Sequence, residues 1–106
     1  MIPEIDVDEL AARLPDGPTL IDVREVDEYE QAHVPGAILM PLSELGDKLD
    51  EVPNGVPLLL ICKSGVRSRR AAEALAQRGH DVFNVAGGTD GWVASGRDYV
   101  TGPERG

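Results

Sequence analysis

The sequence predicts an α/β domain with a mostly parallel sheet flanked by helices on both faces. Helical and strand patterns alternate along the whole chain, the signature of that class. Two strand segments, Thr19–Val23 and Pro57–Ile61, are apolar through almost their entire length, as strands covered on both faces are. Turn signals separate the segments, and the chain's 106 residues suit a single domain with one hydrophobic core.

The first helix begins at Asp6, where Glu9 completes a capping box and Ile5 with Leu10 forms a hydrophobic staple. Val7, Leu10, Ala11 and Leu14 make its buried stripe, and Pro15-Asp16-Gly17-Pro18 ends it. After the strand at Thr19–Val23, Glu25 to Ala32 reads as a short helix with Val26 and Tyr29 inward, closed by the His33-Val34-Pro35-Gly36 turn. A short strand follows at Ala37–Met40, then a helix carried by Leu42, Leu45 and Leu49 and weakened by Gly46. Asn54-Gly55 turns the chain into the second apolar strand. Ser68 to Arg78 is the clearest helix, with Ala71, Ala72 and Leu75 inward and Gly79 as its stop. The last strand spans Asp81–Val85, followed by Gly87-Gly88 and a short helix around Trp92, a core residue. Gly102 to Gly106 is expected to be a flexible tail.

Composition narrows the function classes. The hydrophobic fraction of 42% and charged fraction of 27% are those of a soluble globular domain. The longest apolar stretch, Val56 to Cys62, contains a proline and is too short to cross a bilayer. An acidic N-terminal stretch, unlike a secretory signal, makes a cytoplasmic location the expectation. The net charge of −9 argues against nucleic acid or an acidic membrane as partner. Cys62 is the only cysteine, hence a free thiol, and with the distant His33 and His80 it makes a poor metal set. No metal site and no cofactor are expected.

Ligands of parallel sheets gather at the carboxyl ends of the strands. Two such ends carry chemistry: Asp22-Val23-Arg24 and Cys62-Lys63-Ser64-Gly65-Val66-Arg67-Ser68. The second segment reads strand, tight loop, helix, which turns several backbone N–H groups and a helix N-terminus toward one point. Between Glu51 and Glu73 there is no acidic residue, yet Lys63, Arg67, Arg69 and Arg70 lie there. Arg69 and Arg70 read best as a solvated helix start, whereas Lys63 and Arg67 flank the thiol and suit anion attraction. A lone cysteine is more often buried ballast than a nucleophile. At the mouth of such a cup, with its thiolate stabilised by N–H groups and cations, Cys62 reads as a nucleophile with a lowered pKa. Gly65 supplies the backbone freedom of the bend.

The segments LIDVREVDEYEQAHVPGAILMP, LLLICKSGVRSRRAAEAL and NVAGGTDGW resemble three signatures of the rhodanese family, in the family's order, over about Ile5 to Gly96. The resemblance implies a five-stranded sheet, with Cys62 bearing a persulfide and Lys63 to Ser68 cradling it. It implies transfer of a sulfane sulfur from thiosulfate or a similar small anionic donor to cyanide, a thiol or a protein acceptor. One position departs from the pattern: Ala32 stands where the family usually has Gly before this His. If that position needs positive φ, alanine costs about 1–2 kcal/mol there.

The remaining marked residues have duller explanations. Asp22 closes an apolar strand and should accept hydrogen bonds from loop N–H groups, supporting the site rather than acting as acid or base. Arg24 should pair with Glu28 or another nearby carboxylate. His33 is expected to anchor a turn, and Gly87-Gly88 to give backbone room beside the catalytic loop. Two other functions compete with sulfur transfer. A cysteine-loop phosphatase or arsenate reductase would use the same thiolate, but its loop is one residue longer than the four residues separating Cys62 from Arg67. A rhodanese-like protein-binding or sulfur-carrier module is the other, and the presence of Cys62 with its whole loop counts against a non-catalytic one.

Overall fold

A computed structural model describes all residues from Met1 to Gly106. The five strands are β1 (Glu4–Ile5), β2 (Thr19–Asp22), β3 (Ile38–Leu39), β4 (Leu58–Ile61) and β5 (Val82–Val85). They form one sheet in the order β1-β5-β4-β2-β3, with every pairing parallel. The helices are α1 (Val7–Arg13), α2 (Val26–Gln31), α3 (Leu42–Leu45), α4 (Val66–Gln77) and α5 (Gly88–Ala94).

Alternation along the central strands sorts the core into two layers. Leu58 and Leu60 of β4 pack with Ile21, α3 through Leu45, and α4 through Ala71, Ala72 and Leu75. Leu59 and Ile61 face the other way, against Leu10 of α1, Tyr29 of α2 and Trp92 of α5. All four β4 residues are buried, because helices cover both faces. Trp92 sits in the core as expected, its indole N–H donating to Asp98 O at 2.9 Å.

Several local expectations are refined by the structure. Asp6 caps α1 by accepting from Glu9 N at 2.8 Å, but the Glu9 carboxylate turns to Arg13, leaving the box half formed. Val26 points to solvent instead of inward, while Tyr29 is buried and donates its hydroxyl to Ala37 O. The leucine-rich stretch divides into α3 and a separate 3-10 turn at Leu49–Glu51, as Gly46 and Asp47 interrupt it. Strand β1 was not legible in the residue pattern; its two residues pair with Asn84 and Val85.

His33 anchors its turn from full burial. Its ring stacks on Tyr29 with centroids 3.6 Å apart, Nδ1 lies 2.7 Å from Tyr29 O, and Nε2 lies 2.6 Å from Glu104 O. The C-terminal segment, expected to be flexible, is tied down at several points. Gly36 N donates to Arg105 O at 2.7 Å and Gly102 N to Glu30 O at 2.7 Å. Ala32 is extended, with φ of −170°, so the missing glycine before His33 brings no backbone strain.

Candidate active site

The apolar run of β4 ends at Cys62, and the chain then bends through Lys63-Ser64-Gly65 into α4. Gly65 has φ of +112°, a conformation that L side chains rarely adopt, and this glycine aims the start of the helix back at the sulfur. Gly65 N donates to Cys62 Sγ at 3.1 Å, and the N–H groups of Ser64 and Ser68 also face the sulfur. Burial pushes the thiol up, but hydrogen bonds from Ser68, Gly65 and Ser64 outweigh it, so the Cys62 thiol ionises below its ordinary value. The cup expected from the strand–loop–helix order is therefore present. Cys62 lies on its floor rather than at its mouth, only 1% exposed.

Asn84, on β5, is a member of this site that the sequence reading missed. Its Nδ2 donates to Gly65 O at 3.1 Å and to Glu4 Oε2 at 2.9 Å, which leaves Oδ1 to accept from the Ser68 hydroxyl at 2.5 Å. The same hydroxyl lies 3.3 Å from Cys62 Sγ. One proton serves one acceptor at a time, so Ser68 supports the thiolate only by sharing or turning from Asn84. The sequence offers only the polar residue itself, set among Val82, Phe83 and Val85; its burial to 1% exposure and its partners come from the fold.

Of the basic residues at the site, only Arg67 is engaged in a way the sequence did not lead one to expect. Arg24 pairs with a nearby carboxylate, as expected, and of the candidates it is Asp22 rather than Glu28. Arg24 folds back onto Asp22, with Nε at 3.0 Å and Nη2 at 2.8 Å from the two carboxylate oxygens, and Asp22 also accepts from Arg24 N at 3.0 Å. Both residues are buried. Glu28 instead takes Arg67 in a bidentate pair, both contacts 2.7 Å long. That bond holds the Glu28 carboxyl down at about 2 and raises Arg67. Arg67 thus contributes positive charge near the sulfur without a hydrogen bond to it. Lys63 is exposed and belongs to none of the ion pairs. Ser64 and Val66 are exposed on the loop, and Ser68 is buried beneath it.

Helix α5 is the wall of the site. Thr89 N donates to Cys62 O at 2.8 Å and Asp90 N to Lys63 O at 3.0 Å. A Cβ at Gly88 would stand 2.5 Å from Lys63 O and 2.6 Å from Cys62 O, so only glycine lets α5 seat there. The backbone room expected of Gly87-Gly88 belongs to Gly88; at Gly87 the nearest atom would be 3.9 Å away.

The family model for the rhodanese-like domain matches residues 6–95. The chain belongs to the rhodanese-like family. A thiosulfate sulfurtransferase named GlpE from Actinobacillus pleuropneumoniae serotype 3 is 40% identical over 87 residues, 81% of each chain. The chain spans 51% and 59% of two Bacillus subtilis relatives, YrkF, named provisionally as a sulfur carrier protein, and the uncharacterised YqhL, at 36% and 42% identity over 87% and 69% of the chain. A crystal structure of a rhodanese-related protein from Thermoplasma volcanium superposes with a TM-score of 0.87 at 31% identity, over 92% of this chain and 97% of that one. The rhodanese-like fold and its five-stranded α/β sheet are thereby shared with solved structures. No helix of the chain is long and apolar enough to cross a membrane.

Proposed function

We propose that this rhodanese-like domain is a sulfurtransferase that carries a sulfane sulfur on Cys62. The observation that carries the reading is the set of hydrogen bonds on Cys62 Sγ from Gly65 N and from the Ser64 and Ser68 groups. They favour a preformed thiolate, so attack needs no separate base. The thiolate attacks the outer sulfur of thiosulfate, a sulfur–sulfur bond forms, the donor's own bond breaks, and sulfite leaves with its electron pair. The Cys62 persulfide anion keeps the charge until cyanide or a thiol attacks the outer sulfur and restores the thiolate. These two steps predict ping-pong kinetics.

Lys63, unpaired and exposed, is the cation available to draw in an anionic donor. Ser64 to Ser68 supply the cradle, while Asp22 and Arg24 hold the neighbouring strand end. Four residues between Cys62 and Arg67 make a tight cup that converges on sulfur, which favours sulfur transfer over phosphoryl chemistry. Neither a metal nor a cofactor enters either step.

Intact-protein mass spectrometry tests this directly. Thiosulfate is expected to add one sulfur atom to the wild-type protein, a reducing thiol to remove it, and Cys62→Ser to accept none while folding normally. Absence of any mass change in folded protein would refute the reading. A persulfide that forms but passes to no small acceptor would mark the domain as a sulfur carrier for a protein partner.

A further inference from the structure

One surface cleft, of five, includes a residue of the Cys62 loop. It holds about 410 Å³ between α2 and α5, with Lys63 at its edge next to the sulfur-bearing residue. Four charged residues line it, and two of them are held by partners outside it: Arg24 is bound to Asp22, and Glu28 to Arg67. Two are not. Lys63 and Asp90 both line the cleft, both are exposed, and neither forms an ion pair. The wall adds the Gln31 amide, the partly apolar surface of Val93, and Thr89. Thr89 Oγ1 is the one buried side-chain polar atom in the molecule with no hydrogen-bond partner.

Resting on the sulfurtransferase reading above, we propose that this cleft binds the sulfur acceptor, and that the acceptor is a small zwitterionic thiol of the amino-acid class. A free cation and a free anion in one cleft match a ligand carrying one carboxylate and one ammonium group. Asp90 disfavours an acceptor that is only anionic, and Lys63 one that is only cationic. The Lys63 ammonium takes the carboxylate, and the Asp90 carboxylate takes the ammonium. Hydrogen bonds from Thr89 N and Asp90 N fix the Cys62–Lys63 backbone to this wall, so the backbone positions that carry Lys63, Asp90 and the sulfur are held together. Lys63 can serve both half-reactions, because sulfite has departed before the acceptor enters. In the second half-reaction the acceptor thiolate forms a bond to the outer sulfur of the Cys62 persulfide. The bond between the two persulfide sulfurs breaks, its electron pair returns to Cys62 as thiolate, and the acceptor leaves as its own persulfide.

Acceptors that differ only in their charged groups test the assignment. Protein loaded with sulfur from thiosulfate is given cysteine, 3-mercaptopropionate, which lacks the ammonium, or cysteamine, which lacks the carboxylate. Rates are normalised to the concentration of acceptor thiolate. Cysteine is expected to exceed each of the others by about 3- to 5-fold, the scale of partly exposed ion pairs. In Asp90→Asn the preference for cysteine over 3-mercaptopropionate should fall toward one. In Lys63→Met the preference over cysteamine should fall instead. Cyanide, which has neither group, is run in every arm as a measure of persulfide turnover. If cyanide discharges the persulfide but all three thiols react equally, or Asp90→Asn keeps the preference, the cleft assignment is overturned while sulfur transfer stands. If nothing discharges it, cyanide included, the transferase reading falls and the cleft falls with it.

Discussion

The ends of β2 and β4 lie side by side, yet they use polar groups in opposite ways. At the end of β2, side chains satisfy side chains: Asp22 and Arg24 are both buried and neutralise each other over three hydrogen bonds. At the end of β4, backbone N–H groups converge on a sulfur and no cation touches it. The first arrangement is closed and can only support. The second leaves its donors aimed at one atom, where a negative charge can develop, and so can do chemistry. The distinction can be broken at either end.

The largest expected effect is at the closed end. Asp22→Ala would leave the Arg24 guanidinium buried with only Ala32 O as partner. Removing one member of a buried pair costs about 3–5 kcal/mol. Thermal unfolding should drop by roughly 4–8 °C for each kcal/mol in a domain of this size. A fall of only a few degrees would mean that Arg24 escapes to solvent and that the pair is not structural.

Next in size is the seat of α5 on the loop. Gly88→Ala introduces a methyl group 2.5–2.6 Å from the carbonyl oxygens of Lys63 and Cys62 and also holds a residue at φ of +58°. Overpacking and left-handed strain together cost roughly 2–4 kcal/mol, and sulfur transfer should fall with them as the loop is displaced. Gly87→Ala shares the positive φ, +83°, but not the close contact. The difference between the two variants in a denaturation titration isolates the steric part. Equal losses would show that backbone conformation alone matters there.

The open end is read through its pH dependence. Hydrogen bonds to Cys62 favour the thiolate more than burial opposes it, so the alkylation rate should titrate below that of a free cysteine. Because the sulfur lies on the floor of its cup, a small reagent such as iodoacetamide should react well ahead of a bulky maleimide. An alkylation profile at or above the free-cysteine value would make the thiol an inert core residue.

What was legible in the sequence follows this same division. The Cys62 loop could be read locally: an apolar strand, a bend with glycine, and a helix lie consecutively, and local order fixes where the N–H groups point. Sequence-distant pairings could not. Glu28 and Arg67 are 39 positions apart, whereas a nearby carboxylate for Arg24 could be foreseen; that it is Asp22 and not Glu28 follows from the full burial of Asp22, which needs a partner more. Asn84 acts only through β5 lying beside β4, which no run of residues announces. A helix of six residues gives too few turns to fix its phase, so Val26 was assigned to the wrong face. Strand β1, with two residues, is too short to show alternation. The glycine-rich tail looks unstructured by composition, but its backbone is held by His33 and Gly36.

The smallest effect concerns the Glu28–Arg67 pair, which spans the two regions. Glu28 occupies the guanidinium that an anionic donor would otherwise meet, so Glu28→Gln should free Arg67 and lower the KM for thiosulfate by about 2- to 5-fold, the size of a partly exposed ion pair. Added salt should erase the gain, because screening weakens an exposed cation. The same pair leaves a mark on acid stability. The folded-state carboxyl is depressed to about 2 from an ordinary 4.5, so its contribution is fully present above about 4.5 and is lost as pH falls toward 2. With Arg67 more than a third exposed, solvent limits that contribution to about 1 kcal/mol or less. Melting temperatures from pH 5 down to pH 2 should therefore fall slightly more steeply for wild type than for Glu28→Gln. If the two profiles are parallel and the KM for thiosulfate is unchanged, Arg67 is not restrained by Glu28 in solution, and its charge is already available to the donor.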